Sequence, residues 1–512
     1  MRKTLIEEFD RCWREHPEKT AVVDQAGQIS FEELAAGAAA LAGVIADRLD
    51  GRRNVPVAVL LPKSARVVEA DLAISYSCNI FMNLDVHLPT ARLQNILAQI
   101  KPALILTDSA MAETAALSEL PVVNLDAVRP TSGWDDALHH RLMERLQEQI
   151  DTDPYCIINT SGSTGTPKGV VLNNRSFLDF YDWSLETFHF DGSEIIGSLS
   201  PVVFDIYDYE LCLLMMKGST MVLLDANLGI FPARLLETVA KHDVNFIFWV
   251  PTIMVNIANM NLLEKIDVSC LRTIWFAGEV FPTKQFNYWR RSLKNAVFAN
   301  LYGPIEITVD CTYYIAENEL PEDEPLPIGY PCRNTDILLL NDQNQLCSVG
   351  EIGELCVRGS SLAMGYYNNP EKTAAAFVQN PLNCAYPELI YRTGDLAYRD
   401  DEGRIIFKGR RDSLIKHMGY RIELGEIEHI VVNTLKLVPN CCVVYNRGKK
   451  AITLIYERPG TIDGAALKKA LGSQLPRYMV PAAYVEMDTL PRNTNGKIDR
   501  LKLTEMVNEG LL

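Results

Sequence analysis

Short apolar runs alternate with amphipathic stretches over most of the first 400 residues, and this alternation restricts the fold more than any other feature of the sequence. The runs at 55–61 and 103–107, rich in Val, Ile and Leu, have the length of buried strands, and the stretch 90–100 between them repeats apolar residues with helical spacing. The same order of strand, helix and strand returns within 219–250. Such alternation predicts βαβ units and parallel-rich sheets, an α/β fold.

The pattern changes towards the C-terminal end of the chain. The segment 391–416 has the pattern of two strands around an acidic turn followed by an arginine-rich stretch, and short strands and helices come after it. The last 100 residues suffice for one small α+β domain. We therefore predict a large core over residues 1–411 and a small C-terminal domain over residues 412–512, with the boundary at Arg411 to Ser413.

Charge and cysteine content restrict the partners and the compartment. The 512 residues include 49 Lys and Arg against 65 Asp and Glu, a net charge of −16 that repels nucleic acids and anionic lipid surfaces at long range. The N-terminus lacks the apolar stretch of a secretory signal, and no apolar run reaches the ~18 residues of a membrane span. The twelve cysteines form no Cys-x-x-Cys pair and the eight histidines form no helical ligand pair, so we predict no zinc site. We expect a soluble, cytoplasmic protein with neither nucleic-acid nor membrane partners.

The strongest local signal is the stretch 159–169, which follows a short apolar run. Its eleven residues include three glycines, five hydroxyl side chains and one lysine, so its N–H groups and hydroxyls can surround phosphate oxygens. The spacing of a Walker A loop is absent, which disfavours a kinase or GTPase of that kind. A surface loop of the same composition with no ligand is the alternative reading for this segment taken alone.

Six segments together resemble the core motifs of the adenylate-forming enzymes, in the same order and with similar spacing. They are TSGSTGTPKGV (160–170), YGPIEIT (302–308), GELCVRG (353–359), YRTGDL (391–396), GRRDSLIKHMGYRIELGEIE (409–428) and LPRNTNGKIDR (490–500). This superfamily contains acyl-CoA synthetases, luciferases and the adenylation domains of nonribosomal peptide synthetases, which make peptide antibiotics and other secondary metabolites. The chain most resembles free-standing amino-acid adenylation enzymes, including the D-alanine–carrier protein ligases.

The resemblance implies a reaction in two steps that uses ATP and Mg²⁺. A carboxylate attacks the α-phosphorus of ATP to give an acyl-adenylate and pyrophosphate, and a thiol then takes the acyl group and releases AMP. The first step brings an anion to a polyanion, so it needs cations and hydrogen-bond donors where charge develops.

The resemblance also implies a role for individual residues. Lys497 matches the catalytic lysine that bridges the carboxylate and the adenylate, and it lies on a C-terminal domain that acts as a mobile lid. Glu306 matches the glutamate associated with Mg²⁺, and Asp412 falls at the hinge between the two domains. Asp395 matches the aspartate that accepts the ribose hydroxyls. The full set expected to bind ATP and AMP is Thr160, Ser161, Gly162, Ser163, Thr164, Gly165, Lys168, Gly278, Glu279, Tyr302, Gly303, Asp395, Arg410 and Lys497.

One position departs from the family pattern. Ile305 stands where the family usually has a threonine whose hydroxyl contacts phosphate, and isoleucine cannot supply that bond. Either Thr308 or the hydroxyls of Ser163 and Thr164 compensate, or ATP is held differently. A catalytically silent nucleotide-binding protein therefore stays open as an alternative.

The segment 204–207 resembles that of the amino-acid-activating members, in which the aspartate, here Asp205, pairs with the α-ammonium of the substrate. Asp208 is an alternative partner for that ammonium. The family's pocket positions correspond to Asp205, Ile206, Tyr209, Phe248, Trp275, Ala277, Leu301, Val309 and Asp310. Bulky side chains at four of them predict a small substrate, and Asp310 calls for a donor on it. Serine or a serine-like amino acid is the first choice, ahead of proline and alanine.

The acceptor of the acyl group is expected to be a separate protein. No Gly-x-Asp/His-Ser-Leu segment for phosphopantetheine attachment occurs in the chain. We therefore expect transfer to the phosphopantetheine thiol of a carrier protein. An acyl- or aryl-CoA ligase that uses the same adenylate chemistry is the alternative, and in that case Asp205 would be irrelevant.

Overall fold

A computed structural model describes residues 3–128, 134–160, 167–410, 414–438, 440–457, 464–492 and 498–512. The chain divides into two compact units. The first comprises Met1–Val86, Lys101–Ile158 and Gly169–Gly409, and the second comprises His87–Ile100, Asn159–Lys168 and Arg410–Leu512.

The α-helices of the described chain are α1 (Leu5–Glu15), α2 (Phe31–Arg48), α3 (Ala65–Tyr76), α4 (Thr90–Ile100), α5 (Ala112–Ala116), α6 (Asp136–Leu146), α7 (Asn174–Phe188), α8 (Asp205–Lys217), α9 (Pro232–Lys241), α10 (Pro251–Asn259), α11 (Thr283–Ser292), α12 (Pro370–Ala376), α13 (Leu424–His429), α14 (Gly464–Gly472) and α15 (Arg500–Asn508).

The strands are β1 (Thr20–Asp24), β2 (Gly27–Ser30), β3 (Pro56–Leu60), β4 (Ile80–Asn83), β5 (Leu104–Thr107), β6 (Val122–Asn124), β7 (Pro154–Thr160), β8 (Lys168–Asn173), β9 (Ile195–Ser198), β10 (Thr220–Leu223), β11 (Phe246–Trp249), β12 (Thr273–Phe276), β13 (Val297–Tyr302), β14 (Thr312–Ile315), β15 (Tyr330–Pro331), β16 (Thr335–Leu340), β17 (Gly353–Gly359), β18 (Gly365–Tyr366), β19 (Phe377–Gln379), β20 (Leu389–Arg399), β21 (Ile405–Arg410), β22 (Leu414–His417), β23 (Tyr420–Glu423), β24 (Cys441–Asn446), β25 (Ala451–Glu457) and β26 (Ala483–Met487).

Local chemistry fixes several helix ends. Thr4 and Ser30 begin α1 and α2 with reciprocal capping boxes, in which Glu7 and Glu33 bond back to the cap backbone. Gly218 ends α8 in the left-handed conformation that glycine adopts without strain. These ends follow directly from short sequence signals.

Two large sheets form the first unit. One has nine strands in the order β15-β14-β13-β12-β11-β9-β10-β1-β2, and its central pairs from β13 to β1 are parallel. The other has seven strands in the order β18-β8-β7-β4-β3-β5-β6, with parallel pairs from β7 to β6. Helix α8 is buried along eleven of its thirteen residues and belongs to the main apolar core.

A smaller sheet completes the first unit. It has five strands, with β16-β17-β20-β19 antiparallel and β21 paired to β20. This sheet carries the TGD motif on β20.

The second unit is an α+β assembly. Strands β24, β25 and β26 form a three-stranded sheet with one antiparallel and one parallel pair, and β22 and β23 form a hairpin. Helices α13 and α14 pack into the same apolar core. Within this unit, the Arg92 guanidinium of α4 pairs with the buried Glu426 carboxylate of α13.

The predicted α/β class, with a large N-terminal part and a smaller α+β part at the C-terminal end, is confirmed. None of the helices in the described ranges has the length and apolar content needed to span a bilayer. All twelve cysteines carry free thiols.

Candidate active site

Three neighbouring parallel strands of the nine-stranded sheet, β11, β12 and β13, end at the same edge. Ligands in open α/β sheets bind beyond the carboxyl ends of such strands. Gly278 and Glu279 follow β12, while Tyr302 ends β13 and Gly303 follows it. Glu279 accepts the backbone N–H of Thr252, 2.9 Å away, and thereby links the segments after β12 and β11.

Tyr302 and Asp395, both predicted to bind ATP, contact each other. The buried Tyr302 hydroxyl donates to Asp395 Oδ2, and the Asp395 N–H donates to Thr393 Oγ1 over 2.9 Å. The Thr393 hydroxyl in turn donates to the Leu355 carbonyl over 2.7 Å. Burial raises the pKa of Tyr302 well above its usual value, and the charge of Asp395 adds to this rise. Tyr302 therefore remains a neutral donor that orients the aspartate.

The turn between Gly303 and Asp310 is tightly constrained. A Cβ on Gly303 would lie 2.4 Å from the Val309 carbonyl oxygen, so this position requires glycine. Thr308 and Val309 have φ values of +53° and +61°, a conformation that β-branched residues rarely adopt and that costs about 1–3 kcal/mol each. The Thr308 hydroxyl donates to the Ser361 carbonyl over 2.9 Å. Thr308 is one of the residues expected to replace the hydroxyl that is missing at Ile305. Its hydroxyl proton is therefore already donated to a carbonyl of the protein.

Glu306, the predicted Mg²⁺-associated residue, is fully buried in this turn. Its Oε1 accepts the Tyr366 hydroxyl over 2.8 Å, and its carbonyl accepts the Ala363 N–H over 2.9 Å. Tyr366 lies in none of the sequence motifs, and only the folded chain brings it to Glu306. Its hydroxyl orients the carboxylate through a neutral donor.

Three of the predicted substrate positions, Tyr209 on α8, Phe248 on β11 and Trp275 on β12, contact one another. Asp205 is the first residue of α8 and is partly buried, whereas the eight other positions are buried. Tyr209 stacks on Trp275 with ring centroids 5.2 Å apart, and Phe248 meets Trp275 edge-on at 5.4 Å. The Tyr209 hydroxyl donates to Ser184 Oγ over 2.8 Å. A packed aromatic cluster therefore begins at Tyr209, one helical turn after Asp205.

Helix α7 adds side chains that the sequence did not single out. Trp183 lies 6.1 Å from Trp275 and Phe180 lies 5.2 Å from Tyr209, measured between ring centroids. The indole N–H of Trp275 is buried without a hydrogen-bond partner in the described structure. An aromatic residue on an amphipathic helix is ordinarily part of the core, so only the three-dimensional structure relates these residues to the pocket.

Asp208, the alternative ammonium partner, has a different environment from Asp205. It is 1% exposed and accepts the Cys156 thiol over 3.6 Å. The fully buried Asp71 lies near it and accepts the Asn83 amide and the Tyr207 hydroxyl, over 3.1 and 2.8 Å. Burial raises the pKa of Asp208 well above its usual value, with the charges of Asp71 and Asp205 adding to the effect. Asp208 is therefore a buried core group, and Asp205 is the more accessible aspartate.

The burial of Asp71 predicts a specific pH dependence of stability. Burial raises the pKa of Asp71 from 3.8 to about 7, so the folded protein holds this proton more tightly than the unfolded chain. Its contribution to the free energy of unfolding is complete below pH ~4 and is lost as the pH rises to about 7, a change on the order of 4 kcal/mol. We expect Asp71→Asn to abolish this pH dependence. The free energy of unfolding of the variant should therefore rise relative to that of the wild type between pH 5 and pH 8.

Urea unfolding followed by tryptophan fluorescence measures this effect, because all six tryptophans lie in the first unit. Asp47→Asn, at an exposed position on α2, is the matched control and should follow the wild type at both pH values. An identical pH dependence in Asp71→Asn and the wild type would contradict the assignment.

The remaining predicted residues belong to the second unit or lie outside the described ranges. Thr160 ends β7, Lys168 begins β8 and Arg410 ends β21. The positions outside the described residues are Ser161, Gly162, Ser163, Thr164, Gly165, Asp412 and Lys497.

Comparison with known proteins gives a consistent result. A family model described as AMP-binding enzyme matches residues 9–367. Tyrocidine synthase 2 of Brevibacillus parabrevis is 31% identical over 504 residues, which cover 98% of this chain but only 13% of the synthase. Novobiocin biosynthesis protein H of Streptomyces niveus is 33% identical over 514 residues, covering 98% of this chain and 83% of that protein.

A solved structure has the same fold. The Vibrio cholerae adenylation domain AlmE, in complex with glycyl-adenosine-5'-phosphate, superposes with a TM-score of 0.85 at 19% identity, covering 99% of this chain and 98% of that chain. At this identity, the likeness establishes the fold alone.

Proposed function

The chain belongs to the AMP-binding enzyme family, and from this membership we propose that it is an AMP-forming ligase that activates a small amino acid as its adenylate. The resemblance drawn from the six motifs is thereby confirmed. We propose serine or a serine-like amino acid as the substrate and the phosphopantetheine thiol of a separate carrier protein as the acceptor. The first step forms the bond between a substrate carboxylate oxygen and the α-phosphorus of ATP and breaks the bond to pyrophosphate, and the second forms a thioester and releases AMP.

The observation that carries the proposal is the position of Asp205. It begins α8 and is partly exposed, and Tyr209, one helical turn further on, packs against the buried rings of Phe248 and Trp275. A carboxylate at the mouth of a filled aromatic region suits the α-ammonium of a short amino acid, because the charge is matched and little volume remains for a side chain. The bound glycyl-adenosine-5'-phosphate in AlmE is an adenylate of this size.

We propose the following roles for the predicted nucleotide-binding residues. Asp395, oriented by the Tyr302 hydroxyl, would accept the ribose hydroxyls. Gly278, Glu279 and Gly303 would border the nucleotide at the ends of β12 and β13. Thr160, Lys168 and Arg410, together with residues 161–165, would supply donors and cations to the phosphates, and Lys497 would bridge the carboxylate and the α-phosphate.

In domain terms, we propose that residues 1–411 bind ATP and the amino acid. Residues 412–512 would form the lid that carries Lys497, with Asp412 as its hinge. The free thiols of all twelve cysteines fit a cytoplasmic location, where disulfides are rare.

The buried Glu306 carboxylate fits an ion held largely by substrate phosphates. Mg²⁺ usually takes one or two protein carboxylates together with waters and phosphate oxygens. Within the described ranges, no group of three or more His, Cys, Asp or Glu side chains is arranged for a metal, so a site built only from protein ligands is not indicated there. Glu306 would hold Mg²⁺, which neutralises phosphate charge when bound.

We expect Tyr366→Phe to raise the Mg²⁺ concentration required for half-maximal activity by about tenfold, because partners of metal ligands typically change metal affinity by 10–100-fold. The substitution removes only the hydroxyl that Glu306 accepts over 2.8 Å. Pyrophosphate exchange measured against Mg²⁺ at saturating ATP tests this. Tyr330→Phe, at an exposed tyrosine, is the control, and equal Mg²⁺ dependence in both variants would refute the role of Tyr366.

The function itself is tested by ATP–pyrophosphate exchange with a panel of acids. The panel contains serine, alanine, glycine, proline, threonine and phenylalanine, together with butyrate and benzoate, and hydroxylamine trapping reports the adenylate independently. We expect strong exchange with small amino acids and at most weak exchange with the simple acids. Exchange only with butyrate or benzoate would establish the acyl- or aryl-CoA ligase instead. The absence of exchange with every acid would support the catalytically silent alternative.

A further inference from the structure

Lys63 lies in the loop between β3 and α3, outside every motif used above. Its ammonium donates to two backbone carbonyls, that of Ser198 over 2.7 Å and that of Ser200 over 2.6 Å. Ser198 is the last residue of β9, and both serines are buried. The Lys63 ammonium therefore fixes the backbone where the chain leaves the end of β9.

Glu210, on α8, lies close enough to this ammonium for the two charges to interact, although no salt bridge joins them. Glu210 is fully buried, and burial raises its pKa to about 7 while the positive charge of Lys63 opposes that rise. Burial lowers the pKa of Lys63 to about 8, and the charge of Glu210 opposes this change. A buried carboxylate needs such a countercharge, so removing Lys63 would leave the Glu210 charge uncompensated in the core.

The contacts with the Ser198 and Ser200 carbonyls fix the start of the segment that leads to Asp205. The loop 199–204 joins β9 to α8, and Asp205 is the first residue of that helix. Phe204 precedes it at the cap position and supplies no side-chain hydrogen bond to the helix start. Since local capping does not hold this helix end, its position depends on contacts from elsewhere in the fold.

We propose that Lys63 is a positioning residue for substrate selection. It holds the Ser198 and Ser200 carbonyls at the start of the segment that leads into α8, and so sets where Asp205 lies. This inference rests on the proposed function in that Asp205 is taken to bind the α-ammonium of the substrate. Lys63 itself need not contact the substrate.

The fold provides a matched control in Lys19. Its ammonium also donates to two backbone carbonyls, those of Gly192, over 2.6 Å, and Gly218. Gly218 ends α8 at the opposite end from Asp205. Lys63→Met and Lys19→Met therefore remove the same kind of contact from the two ends of one helix.

We expect Lys63→Met to raise the KM for the preferred amino acid by about ten- to a hundredfold in pyrophosphate exchange, while the KM for ATP changes less than threefold. Lys19→Met should leave both constants within threefold of the wild type. The same change in both variants, or a Lys63 effect confined to kcat and the KM for ATP, would assign Lys63 a merely structural role.

Two further measurements keep the test decisive. The double variant Lys63→Met/Glu210→Gln removes the uncompensated carboxylate, so it should fold even where the single variant does not, and it should still show the raised KM. Deuterium exchange at the backbone amides of 199–204 should be at least tenfold faster in the Lys63 variants than in Lys19→Met. Unchanged exchange there would overturn the proposal.

The deuterium measurement also separates this inference from the proposed function. If the wild type activates no amino acid, the proposed function fails. Faster deuterium exchange at 199–204 in the Lys63 variants would still establish that Lys63 anchors this segment. If the wild type activates amino acids and 199–204 exchanges normally in the Lys63 variants, only the positioning role fails.

Discussion

Lys497→Ala is expected to lower amino-acid-dependent pyrophosphate exchange by at least 10²–10³-fold, the loss typical of removing one group that stabilises transition-state charge. The first half-reaction joins a carboxylate to a triphosphate, so repulsion between two anions dominates its barrier. A lysine that approaches both groups in the transition state offsets that repulsion, and Lys497 is the residue that the C-terminal motif assigns to this task. The effect should appear in kcat, with little change in the KM for the amino acid.

Lys502→Ala is the control for this substitution. Lys502 is exposed on α15, a few residues beyond the motif, and its removal changes the net charge by the same amount. Both variants should unfold at the same urea concentration as the wild type. Lys497→Arg, which keeps the charge and changes the shape, should recover only part of the activity. Exchange by Lys497→Ala within tenfold of the wild type would refute the assignment.

The secondary structure was predictable where the pattern of apolar residues is local and one-sided. The amphipathic stretch 90–100 corresponds to helix Thr90–Ile100, and the apolar run 55–61 contains strand Pro56–Leu60. Helix α8 is different, because it is buried on nearly every side and carries no helical stripe of polar residues. For such a segment, periodicity cannot separate a buried helix from a strand.

Near the C-terminal end, the sequence predicts a single helix over 422–435. The structure has strand Tyr420–Glu423, helix Leu424–His429 and a π-helical turn over Ile430–Thr434. Ile422 is fully buried and belongs to the core of the second unit, paired in the hairpin with Ile415. The prediction is therefore wrong in its first residues and in the type of its last turn, because hairpin pairing overrides local propensity.

The sequence motifs identify site residues one at a time, but they do not predict which of them meet. Tyr302 and Asp395 are 93 positions apart, and their contact depends on how the strands that carry them are placed. Tyr366, Lys63 and Asp71 act through contacts that exist only in the folded chain, and they carry no spacing signal of their own. A residue that supports another from a distant segment can be found only from the three-dimensional structure.

Asp205→Ala is expected to lower kcat/KM for the preferred amino acid by about 10²–10³-fold, the scale of the 3–5 kcal/mol lost when one partner of a buried ion pair is removed. The ammonium of the substrate would then lose its counter-ion in a region filled by aromatic rings. An acid of the same length without the amino group makes no use of Asp205, so its weak exchange should change less than threefold. The ratio of the two activities therefore measures recognition of the ammonium directly.

Asp208→Asn is the matched control, since Asp208 lies one helical turn further along α8 and is 1% exposed. Burial raises the pKa of its carboxyl, which favours the neutral form, and asparagine preserves both its size and its neutrality. We expect this variant to stay within fivefold of the wild type. A large loss in Asp208→Asn together with normal activity in Asp205→Ala would make Asp208 the ammonium partner. If both variants keep amino-acid activation, the ammonium is not recognised by α8, and the choice between amino acids and simple acids must be made elsewhere in the pocket.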